Sequence, residues 1–106
     1  MATSHVASRS TRYYVYILHS QKDKGLYIGF TTDLKNRISL HANGKVFATK
    51  DRLPLKLIHY EYFINKADAR AREEFLKSGH GREQLKQFLK RSLLSLTSKE
   101  PMQGLL

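Results

Sequence analysis

Residues 13–41 read YYVYILHSQKDKGLYIGFTTDLKNRISLH, and this stretch decides the fold. YYVYILH over 13–19 is aromatic and branched throughout, the composition of a buried strand. QKDKG is a polar loop ending in glycine, and LYIGF over 26–30 restarts the apolar run. Two strands joined by so short a loop make an antiparallel hairpin. TTDLKNRISLHANG then has both marks of a helix. Thr32 or Asp33 can accept a free backbone N–H at its start, and Asn43-Gly44 supplies a left-handed stop. Leu34 and Ile38, one turn apart, are expected to face the core. Arg37 and His41 share the same i, i+4 relation on a neighbouring face.

Downstream, LKLIHYEYF over 55–63 is the third strand, preceded by a basic loop KVFATKDRLP. NKADARAREEFLKSG predicts a helix capped by Asn65 and stopped at Gly79, with Ala67, Ala71 and Phe75 as its core stripe. A last helix is expected from about Gly81, where Leu85, Phe88, Leu89, Ser92 and Leu96 recur at helical spacing. The order is strand, strand, helix, strand, helix, helix. It predicts an α+β domain: a small, mainly antiparallel three-stranded sheet flanked by helices. Residues 1–12 read as a disordered lead-in, 13–96 as the single domain, and 97–106 as a frayed tail. Ser/Thr/Arg-rich and acid-free, the first twelve residues share a transit peptide's composition but are short for one.

Composition narrows the function. The 106 residues hold 19 Lys and Arg against 9 Asp and Glu, a net charge of +10. Residues 13–52 carry seven bases and three acids, and 66–90 carry seven bases and four acids, so the excess belongs to the folded body. That is the footprint of a polyanion binder. There is no cysteine, which excludes disulfides, thiol nucleophiles and Cys-zinc sites and is compatible with a cytoplasmic location. No stretch has the ~20 apolar residues of a membrane span, and nothing in the sequence indicates a protein partner. The five histidines show no paired ligand spacing, and the scattered acids allow at most a single-metal site.

The ordered combination of motifs resembles the GIY-YIG nuclease superfamily over about residues 12–90, most closely its small standalone members, which resemble the nuclease module of the bacterial excision-repair incision subunit. The second half of the founding motif is intact as Tyr27-Ile28-Gly29. The first half is Tyr14-Val15-Tyr16, with tyrosine where the family has glycine, and ten residues separate Tyr16 from Tyr27. The resemblance implies a divalent-metal-dependent endonuclease, using one Mg2+ or Mn2+, that hydrolyses DNA and acts in DNA repair; it leaves RNA open as a substrate.

It also implies roles. Tyr16 activates or positions the attacking water, and Tyr27 lines the same pocket. Arg37 contacts the scissile phosphate, and His41 assists proton transfer. Glu73, in the E-x-x-L-K pattern of AREEFLKSGHGR, holds the cation. An asparagine that many members carry about a dozen residues later is absent, so its role is missing or falls to Gln84 or Gln87.

The chemistry suits these residue types. A forked guanidinium matches phosphate oxygens better than an ammonium does. A phenol, ordinarily near pKa ~10, becomes a useful base only if a cation and a neighbouring base depress it. Plainer readings stand beside these. Strand tyrosines often simply pack, as expected for Tyr13 and Tyr14. Arg37 can be a solvated helix residue, His41 can bond a carbonyl at its helix end, and Glu74 competes with Glu73. His19, His59 and His80 are expected at the surface or in loops. Gly29 is expected to permit close backbone packing, and Lys45, Lys50 and Arg52 to touch the nucleic-acid backbone. The competing functional reading is a non-catalytic nucleic-acid-binding module with the same fold; a purely structural component of a nucleoprotein assembly is a third.

Overall fold

A computed structural model describes residues 11–97; most of the lead-in and of the tail considered above lies outside them. The hairpin forms as the sequence predicts, with β1 over Tyr13–Ser20 and β2 over Leu26–Thr31. Helix α1 spans Leu34–Ala42, and β3 spans Leu55–Phe63. Three further helices follow: α2 over Lys66–Lys77, α3 over Gly79–Phe88 and α4 over Lys90–Thr97. The C-terminal helical segment is thus divided at Leu89, whose φ of −102° and ψ of 22° leave the helical range.

The sheet runs β2-β1-β3, with both pairings antiparallel. β1 is therefore central, and Val15 through Ser20 are all buried. Alternation along a strand sends Val15, Ile17 and His19 to one face and Tyr14, Tyr16 and Leu18 to the other. The first face meets α2–α4, building the core from Val15, Ile17, Ile28, Ala69, Leu76, Leu85 and Leu89. The second face meets α1. Each fully buried Val, Ile or Leu side chain of this set contributes about 1.5–3 kcal/mol.

The caps explain the helix ends. Asp33, rather than Thr32, caps α1, its Oδ1 accepting from Asn36 N at 3.1 Å. Gly44 sits at φ +70°, and Lys45 N closes back on Leu40 O at 2.9 Å, the expected left-handed stop. Asn65 caps α2, accepting from Ala67 N and Asp68 N.

Three expectations are corrected. Ser78, not Gly79, ends α2. Its extended backbone stops the helix while its Oγ accepts from Gly81 N to start α3. A Cβ at Gly81 would overlap the backbone of Phe75, so this glycine lets the two helices meet closely. The stripe of α2 that faces the sheet is Ala69, Glu73 and Leu76, while Ala67 and Ala71 are exposed. His19 is completely buried. It follows Val15 and Ile17 on the side of the central strand that α2–α4 cover.

Candidate active site

The sheet face under α1 carries a compact group of rings. Tyr16 is 1 % exposed, and its Oη lies 2.8 Å from His41 Nε2. The other imidazole nitrogen, Nδ1, lies 2.7 Å from Thr49 Oγ1. Tyr27 closes the cluster, its ring centroid 5.1 Å from that of His41 and 6.2 Å from that of Tyr16.

Local structure places each member. Tyr16 pairs across the sheet with Gly29, and a Cβ at Gly29 would fall inside the Tyr16 ring. Gly29 is thus required by the close approach of a side chain rather than by unusual dihedrals. Arg37 and His41 stand one turn apart on α1, so the helix lowers both onto the tyrosines. Thr49 comes from the basic loop after α1. That loop is more than a solvated connection: Val46 and Thr49 are buried while the intervening residues are exposed. Thr49 is a site residue that sequence reasoning missed. Its one signal is the i, i+3 spacing of a valine and a hydroxyl among bases.

The electrostatics follow from this burial. Desolvation pushes the Tyr16 phenol up to about 12, against the opposing influence of the Arg37 guanidinium beside it. The depression anticipated for this phenol is therefore absent from the resting protein, where Tyr16 is a neutral hydroxyl. Desolvation, reinforced by the charge of Arg37, lowers His41 to about 4. At neutral pH the imidazole is uncharged, with one nitrogen donating and the other accepting. Arg37 faces both phenols, which raise its own pKa further.

Glu73 sits apart from the ring cluster, on α2. Its carboxylate, 12 % exposed, is held at 2.9 Å by Arg70 Nη1 and at 2.9 Å by Lys77 Nζ. Burial alone would raise its pKa, but Lys77 and Arg70 outweigh that and lower it. Glu73 is therefore ionised at neutral pH, whereas its neighbour Glu74 is exposed. The Arg70 guanidinium lies 3.8 Å over the Phe30 ring, which brings this part of α2 to the edge strand β2, next to Gly29.

Two further expectations meet their surroundings. Gln84 lines a cleft with Arg72 and Phe88, the partners of Glu61 and His59 on β3. That is the β3 side of the sheet, whereas Arg70 reaches Phe30 on β2; Gln84 and Gln87 are both exposed. Arg52 is clamped by Asp23, at 2.6 and 3.0 Å, tying the loop after α1 to the hairpin turn. Lys45 and Lys50 are exposed.

Among the described residues no three or more His, Asp or Glu converge as a metal cage. The donor set fits a hard, strongly hydrated cation that takes one carboxylate and fills its remaining positions with water and phosphate oxygens. Glu73, ionised and partly buried, is suited to be that carboxylate.

Comparison with known proteins shows the family. A sequence model described as the GIY-YIG catalytic domain matches residues 12–87. A UPF0213 protein of Clostridium perfringens is 46 % identical over 65 residues, 60 % of this chain and 69 % of its own. The UPF0213 protein YsiG of Lactococcus lactis is 42 % identical over 84 residues, 78 % of this chain and 80 % of its own. The solution NMR structure of a UPF0213 protein of Bacillus halodurans aligns with a TM-score of 0.50 at 38 % identity, covering 84 % of this chain and 96 % of that one.

Proposed function

Since this chain belongs to the GIY-YIG family, we propose that it is an endonuclease that hydrolyses DNA phosphodiester bonds with one divalent ion, Mg2+ or Mn2+, bound at Glu73. GIY-YIG domains are nuclease-like, act on nucleic acid and generally use divalent metals. The observation that carries the reading is the 2.8 Å approach of Tyr16 Oη to His41 Nε2, with Arg37 alongside.

In this proposal Arg37 grips the non-bridging oxygens of the scissile phosphate. Tyr16 donates its hydroxyl proton to His41 Nε2 and uses an oxygen lone pair to hold the attacking water. The water's proton passes to Tyr16 as the phenolic proton passes to His41. Thr49 accepts from Nδ1–H and so keeps Nε2 free of its proton. Tyr27 walls the pocket and excludes water. When bound, the cation supplies positive charge for the phosphate and the leaving oxygen.

The low pKa of His41 makes it a weak base in the free protein. Part of that weakness comes from Arg37, and a phosphate on Arg37 would cancel its charge. Substrate binding then strengthens the base that the reaction needs. Exposed Lys45 and Lys50 extend the backbone grip beyond the site, and the resemblance to the nuclease module of the excision-repair incision subunit supports action in DNA repair, in the cytoplasm.

The test is cleavage of supercoiled plasmid and of branched oligonucleotides with Mg2+ or Mn2+, comparing wild type with Arg37→Ala and Glu73→Ala. Metal-dependent cleavage lost in both variants is the expected result. Equal cleavage by all three proteins would sink the assignment, and RNA cleavage in place of DNA cleavage would change the substrate.

A second reading, a nucleic-acid-binding module without catalysis, draws on the occupied state of the Glu73 carboxylate and on the missing asparagine. It predicts salt-sensitive binding, unaffected by Glu73→Ala, with no cleavage.

A further inference from the structure

His19 lies on the opposite side of the sheet from Tyr16 and lines a cavity of about 420 Å3. The cavity is lined by Lys24, Arg82, Lys86 and Lys90, with Gly25, Leu26, Leu93 and Leu94 completing it; no acid among the described residues lines it. His19 is 0 % exposed, and its Nε2 is the one buried side-chain polar atom among the described residues that has no hydrogen-bond partner. Buried polar groups nearly always have partners, and an orphan asks for a ligand.

The chemistry of that ligand follows from the other imidazole nitrogen. Nδ1 accepts from Gln21 Nε2 at 3.3 Å, which puts the proton of the neutral ring on Nε2. The unpartnered atom is therefore a donor and requires an acceptor. Four cationic side chains around it require that acceptor to be anionic. They come from three elements: Lys24 from the hairpin turn, Arg82 and Lys86 from α3, and Lys90 from α4. Lys24 occupies the left-handed region at φ 64°, unusual for lysine, and Lys24 N and Ser20 N both bond within the turn, to Ser20 O and Gly25 O. The nearest carboxylate on that turn, Asp23, is taken by Arg52 and is not among the lining residues.

We propose that this cavity is a second phosphate-binding site, in which His19 Nε2–H and the cations of Lys24, Arg82, Lys86 and Lys90 hold one phosphate group, separate from the phosphate gripped by Arg37. The inference stands apart from the nuclease reading: it uses none of the ring-cluster residues and holds for a catalytic or a non-catalytic protein. A phosphate can come from a polynucleotide backbone, making the cavity a second contact for the strand, or from a free phosphate or mononucleotide.

The test is NMR observation of the His19 imidazole nitrogens in the full chain at low salt. The protein is titrated in separate arms with inorganic phosphate, with adenosine monophosphate and with a short duplex. Wild type is compared with the double variant Lys86→Gln/Lys90→Gln, both positions being exposed, and with Arg37→Ala. The expected result is a saturable shift of His19 Nε2 in at least one arm. That shift persists in Arg37→Ala, and its dissociation constant rises about tenfold in the double variant. A response to the duplex alone assigns the site to the polynucleotide backbone. A response to the small phosphates as well assigns it to a free phosphate group. The proposal is overturned if His19 is unmoved in every arm, or if its response is the same in the double variant.

Discussion

Gly29 lies directly beneath the phenol ring of Tyr16, its cross-strand partner, so closely that a side chain on one residue would occupy the space of the ring on the other. The glycine of the second motif and the tyrosine of the first are thus two halves of one packing contact. Gly29→Ala is expected to destabilise the fold by about 1–3 kcal/mol through overpacking. It should also swing Tyr16 away from His41. Denaturant unfolding measures the first effect, and loss of the upward-shifted tyrosine in an absorbance titration measures the second.

The Tyr16 phenol has a folded-state pKa raised to about 12 from an ordinary 10.0. A raised pKa means that the folded state favours the protonated form. Its contribution to stability is complete below about pH 10 and is lost as pH rises toward 12. Tyr16→Phe removes this dependence, so the alkaline unfolding limb of the variant should be shallower than that of wild type.

His41 behaves in the opposite sense. Its pKa falls from 6.5 to about 4, so the fold favours the neutral ring. The associated stability, on the order of 3 kcal/mol, is complete above pH 6.5 and is lost as pH falls toward 4. Arg37→Ala removes one of the two influences that lower this pKa. His41 in that variant should titrate at a higher pH than in wild type, though still below 6.5 because burial remains. An NMR titration of the imidazole carbon-bound protons reads this directly, and an unchanged midpoint would contradict the coupling.

Thr49→Val keeps the volume of the side chain but deletes the oxygen at Nδ1 of His41. The buried Nδ1 then lacks a partner, at a cost of about 1–3 kcal/mol. On the proposed mechanism cleavage should fall as well, because Nε2 is no longer held as the acceptor. Thr49→Ser keeps the hydroxyl and should restore activity more fully than stability. Parallel losses in the two variants would point to packing alone.

Glu73→Gln separates chemistry from folding. Its partners Arg70 and Lys77 are about half exposed, so breaking these pairs should change stability by no more than about 1 kcal/mol. If Glu73 holds the cation, cleavage should disappear at unchanged unfolding midpoint. A variant that cleaves normally would move the ion elsewhere.

The sheet was legible because its signals are local and strong. Aromatic and branched runs mark all three strands, and Asp33, Gly44 and Asn65 act through backbone groups within a few residues of themselves. What escaped depends on the third dimension. His19 looks like a surface residue by type, but its place in the central strand under α3 and α4 fixes its burial. The buried stripe of α2 escaped because alanines at 67 and 71 imitate a core face, while the true face includes a carboxylate, Glu73. Thr49 was hidden by its basic loop, since nothing in residues 45–52 reveals that one hydroxyl reaches back to α1. The ring cluster itself was readable only as an ordered motif; tyrosines in strands do not otherwise announce a site.

The ring cluster has one further consequence. Tyr16, Tyr27, Arg37, His41 and Thr49 all come from a single continuous segment of the chain, while Glu73 enters from a later helix whose own core contacts are Ala69 and Leu76. The two parts are exposed to different selective filters. A change in the first damages architecture and chemistry together and is removed as a misfolded protein. On the proposed mechanism, a change at Glu73 leaves a soundly built domain that would still grip nucleic acid but would no longer hold the ion. Within such a lineage, silent members are therefore expected to arise by loss of the carboxylate with the tyrosine motif intact, and an intact motif is a record of ancestry more than a certificate of activity.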